Sequence, residues 1–162
     1  MKRHSVQEIA NYIVWDSHEA GAFLSNSKLQ KLLYYAQAWH LAIHDRPLFA
    51  GRFEAWQHGP VLVPIYNRFE RFGWRNIDEF VPEPPLCDQS KRFLRKVIEE
   101  YGQYDVRKLE CMLREEDPWL NARRRGGVGL EGPCESLIDE NEMRDYYRAR
   151  MDPDAASAEM VV

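Results

Sequence analysis

The sequence predicts a mainly α fold: a compact single-domain helical bundle of about six to seven helices, with a short β-hairpin inserted after the second helix. Three observations predict it. Apolar residues recur at helical spacing in successive segments, helix-start signals precede most of them, and the period changes only between Pro47 and Trp56. The 162 residues, 44% hydrophobic and 12% aromatic, are enough to bury a core.

The first helix begins at Ser5, with Glu8 three residues on in a capping-box pattern. Val6, Ile9, Ala10 and Ile13 share a face that Tyr12 and Trp15 widen, and Gly21 closes the segment. The second helix has Asn26 or Ser27 as its expected N-cap. Its stripe runs through Leu29, Leu32, Leu33, Ala36, Trp39 or His40, and Ile43, with Lys28, Gln30, Lys31 and Gln37 mostly off it. Tyr34, Tyr35 and Trp39 leave this helix few polar faces, which places it at the centre of the core.

Pro47 stops the second helix. Leu48-Phe49, a turn at Gly51 and the alternating Phe53 to Trp56 read as two short arms. Gly59-Pro60 then reads as a strand-to-helix joint, with Pro60 opening a helix through Val61, Leu62, Ile65, Tyr66 and Phe69 to a terminal Gly73. Residues 82–88 are a proline-rich connector. Ser90 opens a helix with Phe93, Leu94, Val97, Ile98 and Tyr101, and Asp105 caps one with Leu109 and Leu113. Asp117 caps a helix started by Pro118 and ended at Gly126-Gly127. A loop leads to a second capping box, Asp139 with Glu142, before Met143, Tyr146 and Tyr147. One domain over residues 1–151 and a disordered tail over 152–162 follow from this pattern.

Composition excludes several classes of function. A net charge of −4 argues against nucleic acid as the partner, and no apolar run reaches the roughly 18 residues of a membrane span. The beginning of the chain lacks the apolar region of a secretory signal. Three cysteines, Cys87, Cys111 and Cys134, none at metal-ligand spacing, read as reduced thiols in a cytoplasmic protein.

No catalytic set emerges. His40 and His44 stand four apart on one helix, a spacing that serves a metal-dependent hydrolase, with His58 as a conceivable third ligand. The sequence between the pair, Leu-Ala-Ile, carries no Glu base. The Arg123-Arg124-Arg125 run could touch phosphates in a helical DNA-binding regulator, or an acidic partner, but it also suits the negative pole of a helix. Glycines 126, 127 and 129 lack the Lys and Ser/Thr of a phosphate loop. The expectation is a protein without enzymatic activity and without a cofactor or metal.

The stretch KLQKLLYYAQAWHLAIHDRPLFAGRFEAWQHGPVLVPIY, Lys28 to Tyr66, resembles the signature of the Panacea domain family, the SocA-like antitoxins also called phage-associated proteins. The residues that carry the likeness include Lys28, Leu29, Lys31, Leu32, Tyr34 and Tyr35. Pro47-Leu48-Phe49, Glu54-Ala55-Trp56, Gly59-Pro60-Val61 and Tyr66 complete it. Pro118-Trp119, Ala122-Arg123 and Tyr146-Tyr147 resemble the family's C-terminal half less strongly. The resemblance implies a mostly helical antitoxin that binds a cognate toxin, encoded by the neighbouring gene, with delivery of the toxin to a bacterial protease as one mechanism. A homo-oligomer is compatible with it. Tight protein interfaces centre on aromatic and Arg anchors. Candidate partner-binding residues are therefore Tyr34, Tyr35, Trp39, Phe53, Trp56, His58, Arg123 and Arg124.

Overall fold

A computed structural model describes residues 4–151; the expected tail over 152–162 lies outside the described residues. The described chain is mainly helical, with a two-stranded hairpin after the second helix, as the periodicity predicts. Its elements are α1 (Val6–Glu19), α2 (Asn26–His44), β1 (Glu54–Trp56), β2 (Gly59–Val61) and α3 (Val63–Phe69), which runs into a 3-10 turn at Glu70–Phe72. Then come α4 (Asp88–Tyr101), α5 (Val106–Leu113), α6 (Asp117–Arg125) and α7 (Glu140–Arg148).

Local chemistry sets most boundaries. Ser5 and Glu8 form the full capping box, and the Asp105 and Asp139 side chains accept the N–H groups of Lys108 and Glu142. Three starts differ from expectation. Ser25, not Asn26 or Ser27, caps α2, because Asn26 turns inward to bond the Tyr66 carbonyl. Cys87 precedes α4, leaving Ser90 buried inside its first turn. Glu116 takes the N-cap position of α6 without capping it, since its carboxylate is drawn into the core.

α2 lies in the middle, against α1, α3, α4, α5, α7 and β2. Leu29, Leu33, Tyr34, Ala36 and Ala38 are fully buried. Of the polar residues off its apolar stripe, Gln30, Lys31 and Gln37 are buried too, and Lys28 is half-buried. Gln30 accepts the Leu62 N–H at 2.9 Å and donates to Asn26 at 3.0 Å. Gln37 accepts the Leu48 N–H and donates to the Phe49 carbonyl, both at 2.8 Å. These amides replace the ladder partners that the irregular segment after Pro47 lacks.

That bonding decides the hairpin. The strands pair Glu54 with Val61 and Trp56 with Gly59, so Gln57-His58 is a two-residue turn and Gly51 is not the hairpin tip. Pro60 lies in β2 and does not open α3; Gln30 holds the chain extended as far as Leu62, and Pro64 serves the helix start instead. β2 is the outer strand of this ribbon, a place that tolerates proline. On the other side of β1, Ala55 donates to Ser136 and Ile138 to Phe53, so the loop before α7 adds a short bridge at Glu54 and Leu137.

Candidate functional site

The expected binding residues divide into two groups. Tyr34, Tyr35, Trp39 and Phe53 are at most 2% exposed, so they are core residues in this chain and not surface anchors. Because α2 is covered on nearly every side, the 100° between successive residues brings none of the three aromatics on it to solvent. Tyr35 stacks on Tyr101 at a ring separation of 3.7 Å, Tyr34 meets Phe53 edge-on, and the Trp39 indole donates to the Tyr101 hydroxyl at 2.6 Å.

Arg123 is also internal. Its guanidinium donates to the carbonyls of Ala55, Gly129, Glu131 and Gly132, and it lies over the Trp119 ring. It fastens the 129–132 loop to the hairpin, which corrects its reading as a partner or phosphate contact. Arg125 pairs with Glu142, while Arg124 remains exposed and bonds Asn121. The three-arginine surface needed by the DNA-binding alternative does not form.

The metal alternative meets a similar fate. The rings of His40 and His44 lie 4.6 Å apart beside Phe93, but His40 Nδ1 bonds the Arg46 carbonyl at 2.6 Å. Burial pushes the His40 imidazole down to about 4. His58 pairs with Glu110 at 2.6 Å. Among the described residues, no group of three or more His, Cys, Asp or Glu side chains could hold a metal ion.

Trp56 and His58 do come together, beside a groove of about 690 Å³ between the N-terminal half of α2, the hairpin turn, α3 and the 133–135 loop. Lys31 and Ser27 line it from α2, Tyr66 from α3, and Trp74 from the segment after the 3-10 turn. Trp56 meets Tyr66 edge-on at 4.9 Å, and its indole donates to Glu54. His58 is exposed, and Trp74 is 90% exposed.

Lys31 also lines the groove, although it is not among the expected binding residues. It is 3% exposed, and its ammonium donates to Ser27 Oγ at 3.0 Å. Burial pushes its pKa down to about 8, against the pull of the Glu110 carboxylate. The available signal was its phase: Lys31 precedes buried Tyr35 by one turn, on a helix with little room for a solvated face.

With the helical core, the hairpin and the groove in place, the class of the chain can be stated. Residues 29–120 match the family described as antitoxin SocA-like, Panacea domain, and the chain belongs to that family. Antitoxin SocA of Caulobacter vibrioides (strain NA1000 / CB15N) is 40% identical over 65 residues, which cover 40% of this chain and 35% of that protein. The match thus spans about a third of the relative's length. No solved structure matches the chain. None of its described helices is long and apolar enough to cross a membrane.

Proposed function

We propose that this protein is an antitoxin that neutralises a cognate toxin by direct binding, without enzymatic activity, and that the groove beside Trp56 and His58 is part of the binding surface. Family membership carries the antitoxin reading. The groove carries the location, because it joins half-exposed Trp56 and fully presented Trp74 around a concave surface of ligand-binding size. The polar rim formed by His58 and Glu110 suits an interface centred on those rings.

The test is co-expression with the product of the neighbouring gene. The expected outcome is rescue of growth and recovery of a complex of the two proteins. Trp56→Ala should abolish rescue while leaving the melting temperature close to that of the parent. A neighbour that is harmless alone, or that stays toxic with no complex formed, overturns the antitoxin reading. Rescue by Trp56→Ala at full strength removes the groove from it. The toxin's half-life in the same cells separates two modes of action: occlusion leaves it unchanged, and delivery to a bacterial protease shortens it.

A further inference from the structure

Lys31 presents a chemical problem that the fold does not solve. An ammonium has three N–H donors, and burying it without partners is costly. Ser27 Oγ takes one donor; no other hydrogen-bond acceptor for it occurs among the described residues. The carboxylate whose charge acts on it, Glu110, is bonded instead to His58. On the hairpin side its neighbour is a glycine: a Cβ built on Gly59 would come to 3.6 Å from Lys31 Cε and 3.7 Å from Nζ. The result is a buried cation in the wall of a groove that Trp56, Tyr66 and Trp74 also line, with donor capacity to spare.

Around it the charge reverses. Glu70 and Glu135 also line the groove. A uniformly acidic segment would be repelled by them, whereas a purely apolar one would leave Lys31 unsatisfied.

Resting on the binding-module reading above, we infer that the groove accepts an acidic side chain from a segment of the partner protein, its carboxylate bonded to Lys31 Nζ and its basic neighbours facing Glu70 and Glu135. Trp56, Tyr66 and Trp74 supply apolar contact for the rest of that segment. A carboxylate fits because it brings further acceptor lone pairs, and a charge bonded directly to the ammonium, to a group whose one hydrogen-bond partner is Ser27. Lys31 is then a specificity residue, held in the fold at some cost in stability because it recognises the partner.

The test begins with a library of random seven-residue peptides selected on the full chain, with Lys31→Met as the comparison. Selected sequences should be enriched in Asp or Glu beside Lys or Arg. They should bind Lys31→Met roughly tenfold or more weakly, as expected when one partner of a desolvated charge pair is removed. The same peptides with asparagine in place of the acidic residue should lose as much on the parent protein, a readout independent of how the variant folds. Selection without acidic enrichment, or binding to Lys31→Met within about twofold of the parent, overturns the inference. So does displacement of the peptides by equimolar acetate, which would make the groove a small-anion pocket. Co-expression keeps this result apart from the reading it rests on. Acidic selection together with full rescue by Lys31→Met leaves the carboxylate site standing and moves the toxin elsewhere. Loss of rescue without acidic selection keeps the toxin at the groove and removes the carboxylate.

Discussion

Two buried charges pack at α2, its own Lys31 and Glu116 from the start of α6, and the contrast between them separates structure from recognition. On the side toward α4, α6 and α7, Glu116 is enclosed by tyrosines: Tyr35 donates to one carboxylate oxygen at 3.3 Å and Tyr147 to the other. One turn before Tyr35, Lys31 lines the groove with Ser27 as its bonded partner. Both are buried, but Glu116 is bonded on both oxygens. Lys31 sits in the wall of the groove with donors left over. A buried charge whose bonds are made inside the fold needs nothing further; one whose bonds are incomplete at a groove is equipped for a partner.

The largest expected effect breaks the closed side. Trp39→Ala removes a buried indole and its bond to Tyr101, and should cost about 3–5 kcal/mol, much of a typical domain's stability. Denaturant unfolding measures it, and neutralisation should fall along with the fold. A variant that keeps its stability but loses neutralisation would make Trp39 a contact residue and undo the contrast with Trp56.

The next effect probes the two charges by pH. Burial pushes the Glu116 carboxyl up to about 7, although its tyrosine donors favour the ionised form. Between the unfolded value near 4.5 and about 7, the folded chain holds a proton that the unfolded chain has released. Glu116 therefore makes stability fall as pH rises through that window, by on the order of 3 kcal/mol. His40 opposes it: its depressed value means that the unfolded chain binds the extra proton between about 4 and 6.5, so its contribution rises with pH. The parent profile should thus be flatter than either part. Comparing Glu116→Gln with the parent isolates the carboxyl. Relative to its value at pH 4.5, the stability difference should move in favour of the variant and level off above about pH 8. A difference that does not change with pH would mean that Glu116 titrates normally. Lys31 acts in a separate window: between about 8 and 10.5 the unfolded chain holds the extra proton, so stability rises with pH there.

Legibility in the sequence follows the same division. Helices were readable because amphipathic spacing and caps such as Ser5, Asp105 and Asp139 are local. The hairpin register was not, because it depends on Gln30 and Gln37 reaching residues 11 to 32 positions away. Nor were the buried charges. Lys31, Glu116 and Arg123 belong to residue types that are rarely fully buried, and only tertiary partners show where each one goes. Of the expected binding residues, Trp56 and His58 lie beside the groove because Trp56 ends β1 and His58 is in the turn that follows. The aromatics of α2 do not, because the helix that carries them is central.

The smallest expected effect concerns the joint between the two regions. Gly59 has φ of +121°, a conformation that L side chains rarely adopt, and it ends the turn that begins at Trp56. Gly59→Ala should therefore destabilise the fold by roughly 1 kcal/mol. The space itself is adequate: the added methyl would make ordinary contact with the Lys31 side chain rather than overlap it. The strain thus arises in the backbone, while the functional consequence arises at the ammonium, which the methyl would partly cover. Thermal unfolding should show the modest loss, and peptide binding should weaken by more than that loss explains, because the folded variant presents a shielded Lys31. An unchanged melting temperature would refute backbone strain at Gly59. Unchanged peptide affinity in the folded variant would mean that the approach to Lys31 does not pass over the hairpin, and that the partner reaches it from the α3 side.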